Sequence, residues 1–474
     1  MNLRTNLMIG GVFLALLAFV YWHEIRGGER RAEEARLAKQ LLSFPSEAAK
    51  RLTVERGDTV AVLERIDDQW RLLHPVIDRA DQQALSRYLR TLRESERERV
   101  VADSAEITRN TAHLERYGLD RPRLRVALEL DDGTLDTLAF GDDSPTESHT
   151  YVQHHGDNPE VFVVPAWRFD NLNKGVFDLR DRRVLPFERR QVAEIRLLRP
   201  EQTITLMRNQ DDETWQITSP IQGRADAEAV RRILSRLQDG EVAAYVAEPD
   251  EISPEALTAL GLEPAHTLEV VLLSGPERAE KRLRIGSESP SGRYFARDMS
   301  SERVFEVDNL LVSDLDQSLK DLRDRTVLQI QRTAISRVAI ERPDEPTVAL
   351  VRDSDGVWSV ELPEPLPVRS WEIESLLSDL TSLEAHGFAE PADPGYREAP
   401  FLLSYMLSGT DDVAVTVRFS GDPDVAVYAS IDTDPTVYRI DLADFADLDL
   451  ILEDLADIPD SPTGADVDYS SVQP

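Results

Sequence analysis

Three tryptophan–proline signatures constrain what this chain can fold into. "WRLLHP" at 70–75 returns as "WQITSP" at 215–220 and "WSVELP" at 358–363, with Trp70, Trp215 and Trp358 spaced 145 and then 143 residues apart. A period of that length is far beyond a solenoid repeat, so each copy is expected to be a domain with its own core. The chain's 474 residues agree, because a chain this long outgrows a single hydrophobic core.

The copies match on both sides of the signature. Upstream, "RLTVERGDTVAVLER" (51–65), "EIRLLRPEQTITLMR" (194–208) and "SRVAIERPDEPTVALVR" (336–352) each alternate apolar and polar residues around a turn. That pattern predicts a β-hairpin. The tryptophan run supplies a third strand, which Pro75, Pro220 or Pro363 ends because proline cannot donate a ladder hydrogen bond. Downstream, Leu85, Tyr88, Leu89 and Leu92 have the i, i+3, i+4, i+7 spacing of a helix face. Val230, Ile233, Leu234 and Leu237 repeat it, as do Ile373, Leu376, Leu377 and Leu380. Asp81 and Asp226 stand where an N-cap belongs, and Ser370 is the expected cap in the third copy.

The second half of each copy reads as β-rich. Hairpins are expected at 123–143, 266–288 and 413–431, then strands at Val161–Val164, Val304–Val307 and Val437–Ile440. The expected fold class is α+β: an N-terminal transmembrane helix followed by three tandem repeat domains, each hairpin and strand, helix, hairpins. The domains are an anchor at 1–22, a juxtamembrane spacer at 23–45, repeats at 46–187, 188–331 and 332–459, and a disordered polar tail at 460–474. The third repeat is the divergent one.

The anchor rests on "TNLMIGGVFLALLAFVYW", eighteen uncharged residues from Thr5 to Trp22. That length approaches the ~20 residues needed to cross a hydrocarbon core, and Tyr21 and Trp22 close it where interfacial aromatics belong. A cleaved signal peptide is the rival reading; Phe19, Val20, Tyr21 and Trp22 are too bulky for its cleavage site. Arg26, Arg30, Arg31, Arg36 and Lys39 follow the span and argue for a cytoplasmic body, whereas a very short N-terminal tail argues for export. The expectation is a single-pass protein of the inner membrane with its bulk in the periplasm.

The repeats also test each candidate for chemistry. His74 is replaced by Ser219 and Leu362, and a general acid or base has no leucine substitute. The expected signature residues, Trp70, Pro75, Asp81, Trp215, Pro220, Asp226, Trp358 and Pro363, are therefore structural, with the indoles as core anchors. Arg65, Arg208 and Arg352 precede each tryptophan and suit an indole or carboxylate partner, with anion binding as the alternative. His149, His154 and His155, near Asp142 and Asp143, are the only handle for a metal site. Adjacent His154 and His155 would diverge on a strand, so a solvated loop is preferred. Asp422, Asp424, Asp432 and Asp434 lack a calcium-loop pattern and are expected on the solvated surface. No catalytic residue, cofactor or metal is expected.

Composition narrows the partners. The chain carries 88 acidic against 54 basic residues, a net charge of −34, which opposes binding to a nucleic-acid backbone. Its only lysines are Lys39, Lys50, Lys174, Lys281 and Lys320, and it has no cysteine, hence no disulfide or thiolate chemistry. Nucleotide-phosphate loops, serine-hydrolase elbows and zincin motifs are missing.

The set of Trp70, Pro75, Asp81 and Gly118-Leu119, repeated as Trp215, Pro220, Asp226 and Gly261-Leu262, resembles a bacterial family named domain of unknown function 4340. The resemblance covers 46–330 and, more thinly, 332–460. It implies an envelope protein encoded beside an ABC-type, gliding-motility-like transport system, and it supplies no catalytic residue. The expected function is a non-enzymatic membrane-anchored accessory or scaffold of such a complex, with protein partners from it. An envelope lipid- or glycan-binding module is the alternative, and an uncharacterised enzyme stands behind both.

Overall fold

The computed structural model describes residues 39–451 and Leu455, apart from 110–111, 156–158, 212, 266, 391–392 and 410–413. The expected anchor at 1–22 and the tail from 460 lie outside the described residues. Among those described, no helix is long and apolar enough to cross a membrane.

The tandem pattern becomes three nine-stranded antiparallel sheets. In the first, β1 (Ala49–Arg56), β2 (Thr59–Ile66), β3 (Gln69–His74) and β4 (Asp78–Arg79) form a meander. After the long helix come β5 (Arg99–Ala102), β6 (Leu124–Leu130), β7 (Leu135–Asp143), β8 (His149–His155) and β9 (Glu160–Pro165). The order across the sheet is β4-β3-β2-β1-β6-β7-β8-β9-β5. The second sheet, β10 (Val192–Leu198) to β18 (Arg303–Val307), and the third, β19 (Ile335–Glu341) to β27 (Asp434–Ile440), repeat that order strand for strand. Register follows the apolar alternation. Leu52 faces Leu63 and Val54 faces Ala61 in the first hairpin, as Ile195 faces Leu206 and Leu197 faces Ile204 in the second.

One face of each sheet is closed by a helix. In repeat 1 this is Gln82–Glu94, whose Leu85, Tyr88, Leu89 and Leu92 are all buried. They join Leu52, Leu63, Leu72, Val126 and Phe140 in one core. The counterparts Ala227–Asp239 and Ser370–Thr381 bury the same stripe. Ala139 and Val161 alternate with Phe140 and Phe162 and so emerge on the opposite face, where they meet Ala102, Ile107 and Leu119 in a smaller cluster. Repeats 2 and 3 carry matching small clusters around Leu262 and Tyr428. The expected α+β class is thus realised as mostly sheet with helices laid against it.

Three expectations are corrected. Leu41, Leu42 and Phe44, assigned to the spacer, are buried in the repeat 1 core, because three large apolar side chains gain more there than in solvent. Ser370 does not cap its helix: the N-cap is Arg369, with no side-chain capping bond, and the Ser370 hydroxyl accepts from the Trp358 amide at 3.3 Å. In the third repeat the counterpart of β6 is β24 (Phe401–Gly409), and 413–431 covers the next pair, β25 (Ala414–Asp422) and β26 (Ala426–Ile431). "FLLSYML" lacks clean polar alternation, so its strand period was hidden. The chain divides into two compact units, one ending at Arg182 and one beginning at Arg183 and holding repeats 2 and 3.

Candidate functional site

What recurs in every repeat is backbone support. The bonds His74–Pro75, Ser219–Pro220 and Leu362–Pro363 are all cis. The amides of Asp81, Asp226 and Arg369 donate to the carbonyls of Leu179, Leu322 and Leu455 at 2.9, 2.9 and 3.1 Å. Arg65, Arg208 and Arg352 each donate to a carbonyl in the turn before the first strand, on Glu47, Arg190 and Thr333, at 2.8, 2.8 and 2.7 Å. Arg352 also lies 5.4 Å from the Trp358 ring centroid. These arginines lock the sheet to its preceding turn.

The hairpin-turn arginines do a similar job that their turn position concealed. Arg199 reaches Asp316 at 2.6 Å and the Gln317 carbonyl; Arg342 reaches Asp449 at 2.8 Å and the Leu450 carbonyl at 2.6 Å. Asp316 and Asp449 are the C-caps of the short helices Asn309–Leu315 and Leu442–Leu448. A cation there satisfies terminal carbonyls and meets the negative end of the helix dipole. Gly141 and Gly286 have no room for a side chain, since a Cβ would stand 2.1 and 2.3 Å from the carbonyls of Tyr117 and Leu260.

The expected signature residues are not equivalent in depth. Trp70 and Trp358 are buried, and the Trp358 indole donates to Glu374 at 3.0 Å, whereas Trp215 is only half-buried. Asp81 caps its helix by accepting from Gln83 and Ala84, both at 2.9 Å, and Asp226 by accepting from Ala229. His149 pairs with Glu98 at 2.6 Å and His154 with Asp136 at 3.2 Å, so the histidines do not converge. Burial, Arg125 and His154 together lower the basicity of His155. Among the described residues, no three His, Cys, Asp or Glu side chains gather as metal ligands. Asp434 corrects an expectation. It is drawn off the surface to accept from Tyr438 at 2.9 Å and lies 3.5 Å from Arg224.

The concave feature with chemical character is a groove beside the long helix, present twice. In repeat 1 it has a volume of about 460 Å³, and Arg87, Arg90, Lys174 and Arg182 line it with Asp81, Asp178, Tyr88 and Thr91. Its counterpart beside the repeat 2 helix has about 380 Å³ and is lined by Arg232 and Arg325 against Asp226, Asp314 and Asp321, with Asp324 and, from repeat 3, Glu384 added. One copy is therefore basic and the other acidic. Tyr88 appears in the sequence only as a member of the buried stripe. The signal for more was its hydroxyl, where the other repeats have Ile233 and Leu376.

A chain of replicated antiparallel sheets, each closed by one long helix, defines a repeat protein whose recurring positions are architectural. The family model for a domain of unknown function, DUF4340, matches residues 70–214 and 215–400, and the chain belongs to that family. Each match opens on a signature tryptophan; the first ends after the second strand of the next sheet, and the second runs on to the residue before β24. No curated protein and no solved structure matches the chain.

Proposed function

We propose that this chain is a non-enzymatic, membrane-anchored accessory or scaffold protein of a bacterial envelope transport complex of the ABC type. The anchor is the apolar segment 5–22, the body is periplasmic, and the partners are proteins of the complex. The observation that carries this reading is the character of what is repeated. Among the described residues, capping carboxylates and turn-locking arginines recur, while no acid–base or nucleophilic set does. Three similar bodies on one chain offer repeated contact surfaces, and linked weak contacts gain strength through effective concentration.

The test is crosslinking of the native protein in its membrane, followed by identification of what is captured. Recovery of a transporter subunit is the expected result, and its absence from every crosslinked species refutes the role. A C-terminal reporter active only in the periplasm checks the orientation. The ligand-binding alternative is favoured at one place, the basic groove of repeat 1.

A further inference from the structure

The repeat 1 groove departs from its surroundings in two independent ways. The first is charge. In a chain of net charge −34, Arg87, Arg90, Lys174 and Arg182 gather around one cavity. Among the described residues, Arg87, Arg90 and Lys174 have no carboxylate within ion-pair distance, and Lys174 is one of the chain's five lysines. The two acids present are otherwise engaged: Asp81 accepts from the helix amides, and Asp178 accepts from the Gly175 amide at 2.8 Å. Arg87 gives its Nε to the Gln83 carbonyl at 3.3 Å; its other guanidinium nitrogens and the heads of Arg90 and Lys174 have no acid partner among the described residues.

The second is Tyr88. Its ring is 2% exposed, it lines the groove, and its hydroxyl is buried without a hydrogen-bond partner. A buried hydroxyl without a partner has given up its water hydrogen bonds and gained nothing in return. The core does not need it, because the same helical position holds Ile233 in repeat 2 and Leu376 in repeat 3. Burial also pushes the phenol's pKa up, so it remains a proton donor across the ordinary pH range. A hydroxyl retained where an aliphatic group suffices, beside unneutralised cations, asks for an acceptor.

We propose that the repeat 1 groove binds a phosphate group, with Arg87, Arg90 and Lys174 holding its charge and the Tyr88 hydroxyl donating to one of its oxygens. A single carboxylate is matched by one guanidinium, which leaves the other cations exposed to one another. A phosphate monoester brings a charge of about −1.5 to −2 and three acceptor oxygens, which suits several donors at once. The cavity lies within the roughly 300–1,000 Å³ range of small-ligand sites. The repeat 2 groove, with five carboxylates against two arginines, repels the same ligand.

This site stands apart from the scaffold role, since capture of a transporter subunit and binding of phosphate are separate readouts. The test is calorimetric titration of the full chain in a phosphate-free non-ionic detergent. Inorganic phosphate, glycerol 3-phosphate and a soluble short-chain phosphatidic acid are the probes. Saturable binding is expected, weakened tenfold or more by Arg90→Ala or Lys174→Ala and left unchanged by Arg232→Ala in repeat 2. Tyr88→Phe should weaken binding at least threefold while leaving the unfolding midpoint equal or higher. A tighter phosphatidic acid assigns a lipid headgroup, and equal affinities assign a soluble phosphate ester; both support the site. No saturable binding of any probe overturns the proposal, as does binding indifferent to Arg90→Ala and Lys174→Ala. Tyr88→Phe with unaltered affinity overturns the hydroxyl's part in it.

Discussion

Repeats 1 and 2 are built on one strand order, yet they treat the same two places in opposite ways. Beside the long helix, repeat 1 gathers four cations and a buried phenol where repeat 2 gathers four carboxylates and takes a fifth, Glu384, from repeat 3. In the short strand that follows the signature tryptophan, Asp78 of repeat 1 forms a buried ion pair with Arg180. Repeat 2 has Gly223 there, and the matching Arg323 lies 3.7 Å from the Phe388 ring centroid of repeat 3. The shared bonds all have a backbone group on at least one side, so they persist wherever the turns and caps are kept. The differing contacts are made by side chains that the shared backbone leaves open to change. Specialisation belongs to those positions.

Four comparisons sharpen that contrast, beginning with the largest effect. Asp78→Ala removes the carboxylate from a buried ion pair and should cost unit 1 about 3–5 kcal/mol in urea unfolding. Gly223→Ala, whose Cβ would meet nothing nearer than the Thr436 hydroxyl at 3.6 Å, should stay within about 0.5 kcal/mol. Equal costs would show that the two junctions do not differ as described. Trp358→Ala empties a site that is 1% exposed and should cost about 3–5 kcal/mol. Trp215→Ala should cost roughly half that, because its indole is only half-buried. A reversed order would remove the distinction in depth.

Cap removal comes next. Asp81→Ala and Asp226→Ala should each cost about 1 kcal/mol, read by hydrogen exchange of the first turn of the helix. Arg369→Ala should show no cap loss, since Arg369 makes no side-chain capping bond.

The smallest effect is in acid. Asp143 is held below its ordinary pKa by hydrogen bonds from Arg123, against an opposing push from burial, with Thr150 adding to the lowering. Burial pushes Asp434 up, but Thr436, Tyr438 and Arg224 outweigh it and leave it low as well. A depressed folded-state pKa gives stability that is full above the unfolded value of about 4 and lost as pH falls through the folded value. Unfolding midpoints should therefore drop below about pH 4, with the unit 1 contribution flattened by Arg123→Ala and the unit 2 contribution by Arg224→Ala. Unchanged profiles in these variants would detach the acid response from the two aspartates.

Much of the fold was legible because its signals are local. The hairpin alternation, the helix stripe at Leu85–Leu92 and the proline strand ends each follow from a few adjacent residues. The strand β5 at the far sheet edge was not legible, because it is four residues long and pairs with β9 some sixty residues later. The third repeat's β24 hid for another reason: its continuous apolar run has no period to read. Of the groove, the capping aspartates could be foreseen. The cations could not, since Arg87 and Arg90 look like an ordinary solvated helix face until Lys174 is folded against them.

The number of repeats, the alternation of their first hairpins and the two aspartate caps can be read from the sequence, since these depend on periodicity and on residues within one turn or hairpin. Only the tertiary structure decided the sheet order, with β6 beside β1 and β5 carried to the far edge. It alone also decided which charges share a cavity. Asp81, Tyr88 and Lys174 lie about ninety residues apart at the extremes. What their neighbourhood can bind depends on summed charge and burial in three dimensions, and neither has a period along the chain.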